Sequence, residues 1–161
     1  MNRPVLRRPV LIAAGAATLV AMGGALATDL GPWYSALVLP PWKPPDWAFG
    51  PVWTLIFTLC AITGVRAWDA AQTPGQRTRV LCLFGVNGVL NVLWSLLFFA
   101  SHRPDWGLWE VGPLWLSVLA LIVGLRPIVR SAVPLLLPYL IWVAVAAAMN
   151  LQIVVENPRF G

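Results

Sequence analysis

The sequence predicts an all-α integral membrane protein, a bundle of five transmembrane helices. Three observations carry this. Only 11% of the 161 residues are charged, 59% are hydrophobic, and the mean hydropathy is +0.76. An ordinary soluble domain carries about 25% charged residues, so this chain could not cover its own surface against water. Five stretches reach the length of about 20 apolar residues that a helix needs to cross a hydrocarbon core. Each is bounded by proline, glycine or charge, at Gly31-Pro32, Thr73-Pro74-Gly75, Arg103-Pro104-Asp105 and Arg126-Pro127.

The first span is expected at about 10–28. Arg3, Arg7 and Arg8, an apolar run and then Ala25-Leu26-Ala27 have the outline of a cleavable secretory signal. The run exceeds a signal core, however, and its Ala13, Ala14, Ala17, Ala21 and Gly24 suit close helix packing, so a retained span is expected. The second span covers about 47–68. Before it, residues 39–53 read LPPWKPPDWAFGPVW. Leu39 to Pro45 is an extended, proline-stiffened approach, because proline fixes φ and restrains the residue before it. Asp46 is expected to cap the helix, with Pro51 in its first turns. The remaining spans fall at about 80–100, 106–125 and 133–155. Connections are short, so residues 1–161 read as a single transmembrane domain with neighbouring helices antiparallel.

Charge sets an expected orientation. The amino terminus and the second and fourth loops hold Arg3, Arg7, Arg8, Arg66, Arg77, Arg79, Arg126 and Arg130, against Lys43, Arg103 and Arg159 on the other side. In a bacterial inner membrane this bias puts the amino terminus in the cytoplasm and the carboxyl terminus outside. The net charge of +5 does not indicate nucleic acid, since the arginines end apolar runs instead of forming a patch among polar residues. Cys60 and Cys82 lack metal-site spacing and read as small buried hydrophobes. His102 reads as a solvated loop residue. No glycine-rich phosphate loop, GxSxG or HExxH is present. No carboxylate is expected deep within a span, which argues against a proton relay of the usual intramembrane type.

Ten tryptophans need an account. Trp33, Trp42, Trp47, Trp106 and Trp109 fall near one membrane boundary and Trp68 near the other, where indoles favour the headgroup level. Trp53, Trp94, Trp115 and Trp142 fall within spans, where an indole N–H needs a partner or a polar pocket. Asn87, Asn91 and Trp94 share one face of the third span. Tyr139, Trp142, Ala146 and Asn150 form a second stripe on the fifth. Amides in hydrocarbon turn inward. The spacing fits two uses equally: lining a cavity for a flat, largely apolar ligand, or hydrogen-bonding helix to helix.

PPWKPPDWAFGPVWTL at 40–55, NVLWSLLFF at 91–99, PYLIW at 138–142 and Asn150 together resemble the TspO/MBR family, the tryptophan-rich sensory proteins related to the mitochondrial translocator protein. The resemblance spans nearly the whole chain, and the first motif is its most specific part. It implies a five-helix bundle, often a homodimer, with a pocket under a Pro/Trp-rich first loop. It implies porphyrins, haem or related tetrapyrroles as ligands, with no obligatory cofactor, and the lipid bilayer as solvent. Carried over by position, the pocket residues are Trp53, Asn91, Trp94, Trp142 and Ala146, with Phe49 and Asn87 matching less tightly. Transport, sequestration or stress sensing is the implied role. An alternative is light- or oxygen-dependent porphyrin degradation, and a second is a partner-regulating membrane protein without ligand chemistry. The family's sterol pattern of tyrosine followed by a basic residue is broken here by Leu151 and Val155, which counts against cholesterol as the principal ligand. The first loop is expected to cover the pocket as a stiff lid, the plainer alternative being a boundary anchor.

Overall fold

A computed structural model describes residues 8–160. Among them there is no strand, and five helical rods are long and apolar enough to cross a membrane. They are α1 (Arg8–Ala27), α3 (Asp46–Ala70), α4 (Pro74–Ser95, prolonged by a π-helical turn, Leu96–Ala100), α5 (Pro104–Leu125) and α6 (Ala132–Glu156). A short α2 (Pro32–Ser35) lies in the first loop, and a 3₁₀ turn (Pro158–Phe160) follows α6. Arg3 and Arg7, counted in the charge bias, lie outside the described residues.

The rods form a closed ring in the order α1, α3, α6, α5, α4 and back to α1, with the tightest packing between α5 and α6. Tails of lipid are as apolar as leucine, so side-chain packing and interhelical hydrogen bonds hold such a ring together. The dense part of the core lies where α5 and α6 meet, around Val118, Leu121, Leu125, Ala132, Leu136 and Val143. Gly107 is fixed by close approach. A Cβ there would come within 3.1 Å of the Asn150 amide oxygen and 3.3 Å of the Phe98 Cβ.

The helix ends depart from expectation in physical detail. α4 begins at Pro74, about six residues before the apolar run. Thr73 and Gln76 close a capping box there, which starts the helix in polar sequence. Asp46 does not cap α3. Pro45 holds the cap position with φ −59° and ψ 146°, Asp46 is already in the first turn, and its carboxylate pairs with Lys43 instead. Pro51 is the sixth residue of α3, past the four amides that a helix start leaves free. Cys60 is buried as expected, whereas Cys82 faces outward. His102 is exposed, with a positive φ of 53°, and its ring stacks on Trp33 at 4.3 Å.

Candidate ligand-binding cavity

A cavity of about 710 Å³ opens inside the ring. This is within the roughly 300–1,000 Å³ of typical small-molecule sites. It exists because α1 offers small residues where a packed helix would offer large ones: Ala14, Ala17, Ala21, Gly24 and Ala25 form that wall. Opposite stand Phe49, Trp53 and Phe57 of α3, Asn91 and Trp94 of α4, and Trp142, Ala146 and Asn150 of α6. Val111 and Leu114 are the contribution of α5.

The aromatic residues of the wall stand in three groups. Phe49 meets Trp142 edge-on at 5.6 Å between centroids, and Trp53 stacks on Phe57 at 5.4 Å and meets Tyr139 edge-on at 6.1 Å. Trp94 stacks on Phe98 at 5.2 Å and stands perpendicular to Phe99 at 5.9 Å. Phe98 and Phe99 both line the cavity although they are adjacent in sequence. They lie in the π-helical turn, where Ser101 N–H bonds the Leu96 carbonyl at 2.8 Å. Such turns insert a residue and change the register of the faces.

A chain of buried hydrogen bonds stands behind this wall. The Asn91 amide donates to the Tyr139 hydroxyl (3.0 Å), which donates to the Asn87 carbonyl oxygen (3.3 Å). The Asn87 amide donates to the Ser117 hydroxyl (2.8 Å), which donates to the Leu114 carbonyl (2.7 Å). Nearer the first loop, the Trp94 indole donates to the Asn150 oxygen (3.3 Å), and the Asn150 amide donates to the Pro104 carbonyl (2.7 Å). The two uses of the polar stripes are thus divided among the residues. Phe49, Trp53, Asn91, Trp94, Trp142, Ala146 and Asn150 line the cavity, whereas Asn87 and Tyr139 do not. Tyr139 is buried behind Trp53 as a strut between α6 and α4. Asn87 joins α4 to α5 and borders a second hollow of about 1,060 Å³ between α1, α3 and α4. Trp115 packs against the core and lines neither.

The first loop supplies the outer rim through Leu30, Tyr34, Pro40 and Lys43. It is tied to the end of α6. The Asn157 side chain accepts from Val38 N–H and donates to the Val38 carbonyl, both at 3.1 Å, and the Trp42 indole donates to Gln152 at 2.7 Å. Burial pushes the pKa of the Tyr34 hydroxyl up against the opposing pull of Lys43, so it stays a neutral hydroxyl at the rim.

Sequence reasoning missed Glu110. It lies in α5, six residues beyond Pro104 and about 9 Å along the helix. It is 7% exposed, with neither carboxylate oxygen hydrogen-bonded. No carboxylate is expected deep within a span; Glu110 qualifies that expectation, because it is buried among the side chains packed on α5 about a third of the way along the helix. The i, i+4, i+7 relation of Glu110 to the buried Leu114 and Ser117 was the available signal.

The geometry now has a family to be set against. The sequence model of the TspO/MBR family matches residues 10–155. This chain belongs to the TspO/MBR family. It is 31% identical to the tryptophan-rich protein TspO of Chlorobaculum tepidum, over 98% of this chain and 100% of that protein. It is 36% identical to the protein of the same name from Archaeoglobus fulgidus, over 81% and 84%. Similarity extends to the human translocator protein at 28% identity, over 81% and 85%. Family membership and the five apolar rods together make this an integral, multi-pass membrane protein of the tryptophan-rich sensory and translocator group.

Proposed function

We propose that the cavity binds a tetrapyrrole, protoporphyrin or a haem-pathway intermediate, for transport, sequestration or sensing. The observation that carries the reading is the form of the cavity. Its walls are flat aromatic rings on α3, α4 and α6, faced by small residues on α1, with only a few amides between them. A planar, largely apolar ring system stacks on such walls, the Asn91 side chain offers a polar contact to its heteroatoms, and Asn150 holds the Trp94 indole in place. Ala146 leaves the space that the ligand's edge occupies against α6. No metal or cofactor is required by this reading. In a bacterial inner membrane the loop charges put the cavity mouth on the external face.

The test is a titration of the purified protein with protoporphyrin IX, read by tryptophan fluorescence. Saturable quenching is expected, weakened at least several-fold by Trp142→Ala. Unchanged quenching in that variant would sink the site assignment. The presence of Trp53 and Trp142 in one cavity also favours a second reading, in which a bound porphyrin is degraded oxidatively by dioxygen under light, an indole passing one electron to the excited ring and the ring passing it on to dioxygen. Illumination of the loaded protein then yields a new absorbing product. Loss at the same rate with denatured protein counts against it.

A further inference from the structure

Lys43 and Asp46 are the only charged residues among the described residues that line the cavity. They form one ion pair, and its two ends are unlike. The Lys43 side chain is 15% exposed and its ammonium lies 5.7 Å from the Phe49 ring centroid, whereas the Asp46 side chain is 63% exposed. The cation is thus held at the mouth by its packed stem and an aromatic face, and its partner stands in water. An ion pair with one well-solvated member contributes little, so Lys43 can change partner at small cost. A carboxylate reaching it from the cavity side meets the ammonium where water is partly excluded and the attraction is stronger. The neutral Tyr34 hydroxyl lies on the same rim and offers a second donor. Among the described residues, the deeper lining from Trp53 of α3 to Val111 and Leu114 of α5 carries no charge.

We infer that Lys43 anchors a carboxylate of the ligand, so that an amphipathic acid sits with its acidic edge under the first loop and its apolar body among the aromatic rings. The inference rests on the tetrapyrrole reading, in which propionate chains on one edge of the ring supply the acid. Lys43 then selects orientation as well as ligand class. A ring with carboxylates inward would bury a charge beside Val111 and Leu114 with no cation to meet it. Asp46 acts in the opposite sense, competing for the ammonium and repelling the acid.

The experiment compares protoporphyrin IX with its dimethyl ester, which keeps the ring and removes both charges, by fluorescence quenching of the full chain in detergent micelles. Wild type is expected to prefer the acid. Lys43→Gln is expected to weaken acid binding about tenfold and to leave the ester unchanged. Lys43→Arg keeps the preference, and Asp46→Asn raises acid affinity. Equal wild-type affinity for acid and ester, or unchanged acid affinity in Lys43→Gln, overturns the inference. If wild type binds neither porphyrin, the tetrapyrrole reading itself fails and the role of Lys43 falls with it.

Discussion

Helices α1 and α5 are nearly equal in length, 20 and 22 residues, and both are apolar enough to cross a bilayer, yet they are used in opposite ways. α5 buries ten residues, among them Val118, Leu121 and Leu125 with no exposed surface. α1 buries one, Ala27. The difference lies in side-chain size and not in hydropathy. The branched residues of α5 fill the space against α4 and α6, while the alanines and glycines of α1 leave the space across from them open. One half of the ring is therefore scaffold and the other half is container. The polar residues follow the same division, with Asn87, Ser117 and Tyr139 bonded inside the scaffold and Asn91 and Asn150 at the seam between the two.

This division can be broken first on the scaffold side. Leu121→Ala removes a fully buried side chain from α5 and should cost about 2–5 kcal/mol, seen as a lower thermal midpoint in detergent. Porphyrin affinity of the folded fraction should stay the same. At the seam, Asn150→Ala strips a partner from both the Trp94 indole and the Pro104 carbonyl. A loss of about 1–3 kcal/mol is expected, together with weaker binding, because Trp94 loses its fixed orientation. Glu110→Met tests the scaffold from the other direction. Removing a buried carboxyl without a partner should raise stability by about 1–3 kcal/mol, and a drop in the midpoint would mean that the carboxyl has a partner in the membrane. The smallest effect is expected on the exposed face of α5. Trp109, 83% exposed, should change stability by less than about 0.5 kcal/mol when replaced by leucine.

Which of these features could be read from the sequence follows from what periodicity measures. A run of about 20 apolar residues announces a span regardless of its neighbours, so all five were legible, as was the family motif around Trp42 and Trp53. An inward face is legible too, which is why Asn87, Asn91, Tyr139 and Asn150 stood out. Whether an inward residue ends at a cavity or at another side chain depends on what the facing helix carries. Asn91 faces the α1 alanines across a void, and Asn87, one turn away, meets Ser117. A single-helix stripe holds no information about that. The π-helical turn at Leu96–Ala100 has the composition of ordinary helix and left no mark in the sequence. Glu110 lies near a predicted boundary, its i, i+4, i+7 relation to Leu114 and Ser117 is its one mark in the sequence, and the packing of α5 against its neighbours shows it buried.

The central claim, that the open side of the ring holds a ligand which the packed side does not need for folding, is met most directly by native mass spectrometry of wild type and Ala146→Trp after incubation with protoporphyrin IX. The substitution fills the cavity at α6 and leaves the α5–α6 core intact. The account predicts a saturating one-to-one adduct in wild type and its loss in Ala146→Trp, with the thermal midpoint of the unliganded protein nearly unchanged. An adduct of equal abundance in the filled variant would contradict it.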